Sequence, residues 1–272
     1  MKEYAMEYIV DFRDVDRYFD LKAEAVLQIL GRVSTFHEVQ GFKFKPGYMS
    51  QWNMAWILYQ WKVTIIEPKL YAHKIKIRTL PVLKKDMYCY RYFLIEDMSG
   101  NTVAKAVSQW VAVDTDKRRI SRIPKPVVEV ITGDGILPEE AMETILKVDV
   151  QALRKKDVPF EFELTIPVLY SDIDSNWHVN NTIYARWATE TIYRMDPEYL
   201  LNNYHQTINI VYKKEKKPDG SVLSKLHIDG NTSYHEIWDE QGNLLTLMEI
   251  TWVEKVQNNG DYSNYDFSEI MN

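Results

Sequence analysis

In the segment 172–181, DIDSNWHVNN, a hydrogen-bonding side chain stands at every second position: Asp172, Asp174, Asn176 and His178, with Asn180 and Asn181 close behind. Carboxylates, a carboxamide and an imidazole at this spacing could bind a metal, activate a nucleophile or position a substrate. Calcium fails first. The segment opens D-x-D-x-N, but Trp177 occupies the sixth position, where the loop needs glycine, and Ile183 the twelfth, where a bidentate glutamate belongs. A transition metal would want more imidazole or thiolate, and only His178 is available locally. Nucleophile activation and positioning remain. A straight strand over 174–178 would separate its ends by about 13 Å at ~3.3 Å per residue, too far for one reacting atom. The segment must therefore bend into the following helix, aiming free N–H groups near Asn180 and Asn181 at the site, where they suit a developing oxyanion.

The elements that hold this segment are legible as repeats. IEDMSGNTVAKAVSQWV (95–111) and IWDEQGNLLTLMEITWV (237–253) align without gaps at an offset of 142, each reading as a hairpin that turns at Gly-Asn into a long strand. FRDVDRYFDL (12–21) matches YSDIDSNWHV (170–179) at an offset of 158, pairing Asp14 with Asp172 and Asp16 with Asp174. The offsets differ by 16, so the first copy carries 16 additional residues between the two matches. In each copy a leading strand and its Asp-x-Asp turn feed one apolar helix, and antiparallel strands follow, clearest in HKIKIRT (73–79) and KLHID (225–229). The first helix is expected over 21–39, with Ala25, Ile29, Val33 and Phe36 on its inner face and Gly41 as its stop. The second is expected to be capped by Asn180 or Asn181 and to bury Ile183, Trp187, Ala188 and Ile192. The expected architecture is α+β: two tandem repeats, each a sheet around one long helix, over 1–125 and 162–255. Residues 126–161 read as the connection, with a helical pattern in PEEAMETIL (138–146), and 256–272 as a tail.

Comparing the copies divides scaffold from site. The Asp-x-Asp pair recurs, whereas Tyr18 and Asp20 stand where the second copy has Asn176 and His178. A scaffold feature recurs and a site need exist only once, so Asn176 and His178 are the functional candidates.

Bulk properties set the limits. At 272 residues, 46% hydrophobic and 13% aromatic, the chain has material for about two domains. Its single Cys89 argues against a disulfide framework, and no run of apolar residues is long enough to span a membrane. The N-terminus has neither signal-peptide nor transit character, so a cytoplasmic protein is expected. A net charge of −6 disfavours nucleic acid, yet DKRRISR (116–122) and YKKEKK (212–217) are basic clusters that could steer an acidic partner.

SDIDSNWHVNNTIYARWATE (171–190) resembles the signature of the acyl-acyl carrier protein thioesterases, which are double hotdog-fold enzymes. WVAVDTDKRRISRIP (110–124) resembles a second block of that family, and VYKKEKK (211–217) falls where it carries a Tyr-Arg-Arg-Glu-Cys type segment. The resemblance implies hydrolysis of the thioester between a fatty acyl chain and carrier-protein phosphopantetheine, with no cofactor and no metal. Plant members carry a transit extension absent here, which implies a bacterial member. Asp174, Asn176, His178 and Glu215 match family residues, while Lys216 stands where plant members have a cysteine once proposed as nucleophile. The mechanism so implied has Glu215 as general base on water or as nucleophile, with Asn176 and His178 positioning water and thioester. Asp174 fixes the loop, and N–H groups near Asn180 and Asn181 receive the oxyanion. In this reading Trp52, Met54 and Trp56 of the first copy hold the acyl chain. Arg118, Arg119, Arg122, Lys213, Lys214, Lys216 and Lys217 dock the acidic carrier protein. A coenzyme A thioesterase of the same fold and a non-catalytic acyl sensor are the alternatives. Chain-length preference and association state are not legible.

Overall fold

In the computed structural model, residues 3–133, 150 and 153–255 are described. The helical pattern expected at 138–146 and the tail 256–272 lie outside them. The described residues fall into two compact units, one drawn from Met1–Tyr8, Ile29–Val63 and Ile75–Gln151, the other from Ile9–Gln28, Thr64–Lys74 and Ala152–Asn272. The second unit therefore takes in the Asp-x-Asp turn of the N-terminal repeat as well as that of the C-terminal repeat.

The N-terminal repeat runs β1 (Tyr4–Ile9), α1 (Ala23–Phe36), β2 (Met54–Ile65), β3 (Lys74–Lys84), β4 (Tyr88–Asp97), β5 (Thr102–Asp114) and the short β6 (Arg119–Ile120), followed by α2 (Lys125–Thr132). Its strands lie in the order β1-β3-β4-β5-β2, with β6 on β5. The ladders β3–β4 and β4–β5 are antiparallel. In α1, Ala25, Ile29 and Val33 are buried as expected, together with Val26, Leu27 and Leu30. Phe36 differs and is 38% exposed. The chain passes there into a π-helical turn, His37–Gly41, and His37 rather than Phe36 faces inward. The turn ends at Gly41, where a Cβ would come within 2.4 Å of the His37 ring, so glycine is the residue that fits. A small core joins Phe42, Met49, Met54, Ala112 and Ile123 to Val127 and Ile131 of α2.

The C-terminal repeat runs β7 (Phe162–Pro167), α3 (Ile183–Met195), α4 (Pro197–Asn202), β8 (Asn203–Tyr212), β9 (Ser221–Asp229), β10 (Thr232–Asp239) and β11 (Leu244–Glu254). The strands lie in the order β8-β11-β10-β9-β7, each of these ladders antiparallel. Helix α3 packs on β7, β9 and β11 through its apolar stripe, burying Ile183, Trp187, Ala188 and Ile192. Asp196 ends that helix and caps the next, accepting the Glu198 N–H at 3.0 Å ahead of Pro197.

The repeat extends to individual bonds. Strands β1 and β7 occupy equivalent positions at the offset of 158 and share the same alternation of half-buried and exposed residues. At the offset of 142, Gly100 (φ 89°) and Gly242 (φ 77°) turn the two Gly-Asn hairpins. Asp97 accepts the N–H groups of Ser99 and Asn101, and Asp239 those of Gln241 and Asn243. A bulge interrupts both hairpins, between Ile95 and Glu96 and between Ile237 and Trp238.

Candidate active site

The segment carrying Asp174, Asn176 and His178 is a tight reversal rather than a strand, closed by an isolated bridge between Ile173 and Val179. The Asp174 N–H donates to the His178 carbonyl at 2.9 Å, and the Trp177 N–H to the Asp174 carbonyl at 3.1 Å. The Asp174 carboxylate accepts the Asn176 N–H at 2.8 Å. Behind the loop, Asp172 is fully buried; its carboxylate accepts the Leu169 N–H and its carbonyl the Asn180 N–H. The turn of the first copy repeats this pattern. Asp16 N–H donates to Asp20, Phe19 N–H to Asp16 and Lys22 N–H to Asp14. Asp16 accepts the Tyr18 N–H, and Phe19 and Trp177 share a positive φ of 63° and 62°. Asp-x-Asp is thus a scaffold.

A third match places Glu215. Val179 N–H donates to Lys216 O at 2.9 Å, and its counterpart Leu21 N–H donates to Pro68 O at 3.1 Å, an offset of 148 between the acceptors. Glu67 is therefore the counterpart of Glu215, as Asp20 is of His178. In the second copy, His178 Nε2 and Glu215 Oε2 approach to 3.5 Å, with the side chains 35% and 55% exposed. An imidazole beside a carboxylate, both open to solvent, can pass a proton between them. In the first copy the same two positions hold carboxylates. Asp20 is buried and ion-paired to Lys69 at 2.8 Å and Lys255 at 2.6 Å. That arrangement neutralises charge, and the imidazole within electrostatic reach of it, His205, is buried and held neutral, its pKa pushed down to about 4.

Tyr184 and Tyr212, which pattern reading passes over, brace the site. Tyr184 OH accepts the Lys216 N–H at 3.2 Å, and Tyr212 OH donates to the Asn181 carbonyl at 2.8 Å. Burial pushes the Tyr184 phenol well above its ordinary pKa, so it stays a neutral hydroxyl. Its position one turn after Asn180 is the signal that could have found it. The helix start differs from expectation. Thr182 occupies the N-cap, and Asn180 Oδ1 accepts both the Thr182 N–H and its hydroxyl at 3.0 and 2.9 Å. Asn180's own N–H is engaged with Asp172 O, which removes it as a free oxyanion donor; the Asn181 N–H has no acceptor among the described residues. Asn176 is exposed at the loop tip and makes no side-chain hydrogen bond to His178 or Glu215.

The remaining candidates lie elsewhere. Lys216 does not belong to an exposed basic cluster: it is 5% exposed, and its ammonium donates to the Asp219 carbonyl. Lys213, Lys214 and Lys217 are exposed, and Lys214 stands 4.0 Å from Asp239. Arg118, Arg119 and Arg122 are exposed without an ion pair to another described residue, and the turn beside them is held by Asp114 and Lys117. Met54 is committed to the core against α2, Trp56 donates to Tyr48 OH at 2.7 Å, and Trp52 is 36% exposed. Cys89 is buried, and burial raises its thiol to about 12, which removes it as a thiolate nucleophile. Among the described residues no cluster of His, Cys, Asp or Glu could hold a metal, and no helix is long and apolar enough to cross a membrane.

Residues 1–131 match the acyl-ACP thioesterase N-terminal domain and residues 155–254 the acyl-ACP thioesterase C-terminal domain. An oleoyl-acyl carrier protein thioesterase, chloroplastic, of Coriandrum sativum is 23% identical, over 90% of this chain and 69% of that protein. An oleoyl-acyl carrier protein thioesterase of Arabidopsis thaliana is likewise 23% identical, over 81% of this chain and 62% of its own length. The 12:0-ACP thioesterase from Umbellularia californica superposes with a TM-score of 0.77 at 18% identity, covering 93% of this chain and 98% of its own. An acyl-ACP thioesterase from Bacteroides thetaiotaomicron gives a TM-score of 0.76 at 17% identity, covering 92% and 98%. These likenesses establish the shared fold, the α+β double hotdog.

Proposed function

Because the chain belongs to the acyl-ACP thioesterase family, we propose that it hydrolyses the thioester of a fatty acyl-carrier protein, releasing the free acid and the carrier's thiol. The observation that carries this reading is the approach of His178 Nε2 to Glu215 Oε2 at 3.5 Å, in the one repeat that has an imidazole there. In this reading the C-terminal repeat (162–255) performs the chemistry. The N-terminal repeat (1–125) takes the acyl chain, with Trp52 and Trp56 the side chains nearest to being available for it.

Glu215, half exposed, has room for a water beside it. The carboxylate takes a proton as the water oxygen attacks the thioester carbonyl carbon. The Asn181 N–H receives the negative charge on the carbonyl oxygen. The intermediate then collapses with rupture of the C–S bond. The proton held by Glu215 passes through His178 to the departing sulfur, which leaves as a thiol. A gap of 3.5 Å is long for that transfer before substrate binds, and such contacts shorten in the reacting complex. Asn176, at the tip, orients the thioester, and Asp174 holds the loop.

The test is thiol release from a panel of acyl-carrier proteins and the matching coenzyme A esters, by the wild-type chain and by His178→Ala. Faster turnover of the carrier esters, lost in the variant, is the expected result. Acyl binding without hydrolysis of either ester would overturn the enzyme reading. Glu215→Gln should lower kcat by about 10² to 10⁴, the usual cost of losing a general base, and activity within a few-fold of wild type would remove Glu215 from the mechanism. Single-turnover hydrolysis in ¹⁸O-water tests the nucleophile role: an unlabelled first product acid with label retained in Glu215 requires an acyl–glutamyl anhydride opened at the glutamyl carbon, whereas label in the product acid and none in Glu215 excludes that route.

A further inference from the structure

We infer that Arg186 is a positioning residue for this reaction, acting on the loop of Asn176 and His178 through the buried carboxylate of Asp172. The inference rests on the active-site assignment proposed above. Arg186 sits in the first turn of α3, the end of a helix where the dipole disfavours a cation. It is held there by two acids. Nη2 meets Asp172 Oδ1 at 2.5 Å, and Nη1 stands 3.9 Å from Glu24 Oε1 at the start of α1. Asp172 is the joint of the loop. Its other carboxylate oxygen accepts the Leu169 N–H at 3.0 Å and its carbonyl accepts the Asn180 N–H at 2.8 Å, so one residue ties both ends of the reversal together. A carboxylate with 0% exposure needs its charge met, and Arg186 meets it.

The repeat supplies the internal control. The principal backbone bonds of the two turns correspond, yet at the offset of 158 the counterpart of Arg186 is Gln28, whose amide donates to Glu24 at 3.1 Å. The guanidinium thus accompanies the copy with His178 and is absent from the copy with Asp20. Arg186 also lines a cavity of about 150 Å³, with Asp20, Glu24 and Trp252 among its other walls. Removing the side chain would enlarge a space that already exists, one that a free guanidinium ion can occupy.

The experiment compares wild type, Arg186→Ala and Arg186→Lys by two readouts. One is hydrolysis of an acyl-carrier protein ester; the other is hydrogen exchange of the peptide covering 169–180. Arg186→Ala should lose roughly 10²-fold in kcat with KM nearly unchanged, the scale expected when reacting groups are displaced by about 1 Å. The loop peptide should exchange faster. Millimolar guanidinium should restore part of both, whereas Arg186→Lys, with a point charge and no planar fork, should keep an intermediate rate. Unchanged exchange, or activity within about twofold of wild type, overturns the inference. So does a loss that appears equally in KM and resists guanidinium. Exchange is readable even if the wild-type chain hydrolyses no ester, so failure of the thioesterase reading and failure of this inference give different results. Should Arg186→Ala not fold, the lysine variant carries the same comparison.

Discussion

On the proposed reading, the chemical contrast between the two copies centres on one side chain with an aromatic nitrogen. The two turns share most of their backbone bonds and differ in holding His178, 3.5 Å from Glu215, where the first copy holds Asp20, ion-paired to Lys69 and Lys255. Replacing His178 by aspartate, the first copy's residue, should therefore spare the fold and stop the chemistry. The loop's hydrogen bond at this position uses the backbone carbonyl, so the melting temperature should stay within a few degrees; kcat should fall by about 10² to 10⁴ with the loss of the proton relay. A His178→Asp chain retaining most of its activity would show that a second carboxylate can do the work of the imidazole. At this scale candidates could be named from sequence, because the alternation of Asp174, Asn176 and His178 states side-chain chemistry directly. Arg186 and Tyr184 were not readable in the same way. Their importance lies in what they touch, Asp172 and the Lys216 amide, and those contacts exist only after the chain has folded. The same reason hid the engagement of the Asn180 N–H with Asp172 and the burial of Lys216.

Elements were legible where a local rule had to be obeyed twice. The Gly-Asn hairpins follow from Gly100 and Gly242, whose positive φ is adopted cheaply by glycine alone. Nothing lies within 4 Å of a Cβ built at either, so the whole cost of Gly242→Ala should be backbone conformation, about 1 to 2 kcal/mol. Chemical denaturation should show that loss with an unchanged m-value; a neutral substitution would mean that the turn relaxes. The exposed Phe36 escaped the same treatment because it is the last residue of α1, where the chain passes into the π-helical turn and His37 takes the inward position. Strand β10 carries a different kind of information. His235 is fully buried there, and burial pushes its pKa down to about 3, against an ordinary value near 6.5. The neutral ring is what folds. As pH drops below about 6.5 the unfolded chain takes up the proton first, so this contribution to stability is fully present above 6.5 and is lost progressively toward pH 3. His235→Gln should flatten the fall of melting temperature between about pH 7 and about pH 4.5, measured against wild type at each pH. That pairing matters because Asp16, Glu24 and Glu38 have raised values and act in the opposite sense. An identical slope in both proteins would mean that the ring is hydrated in the fold.

The whole molecule carries a net charge of −6, yet exposes Arg118, Arg119 and Arg122 from one compact unit and Lys213, Lys214 and Lys217 from the other. Cations clustered on the surface of an acidic protein are consistent with recognition of an acidic partner, and the free energy of such recognition is screened by salt. The substrate that carries its own protein should feel this and a minimal one should not. Between about 0.1 M and about 1 M salt the screening length contracts from about 10 Å to about 3 Å. KM for an acyl-carrier protein should rise several-fold over that range, while KM for the corresponding acyl-pantetheine, uncharged and lacking the carrier, should stay level. Arg118→Glu with Arg119→Glu, and separately Lys213→Glu with Lys217→Glu, then assign the effect to a unit. The pair that touches the carrier should raise KM at low salt and abolish its salt dependence, leaving pantetheine-ester turnover unaltered. Equal salt responses of the two substrates would sink carrier docking through these residues and leave the chemistry proposed for His178 and Glu215 untouched. The two clusters can be judged apart because each substitution pair lies on a different unit and neither includes a residue of the reaction. Lys216 is left out of the second pair since its ammonium faces the Asp219 carbonyl inside the protein, where a reversal would report on folding instead of docking.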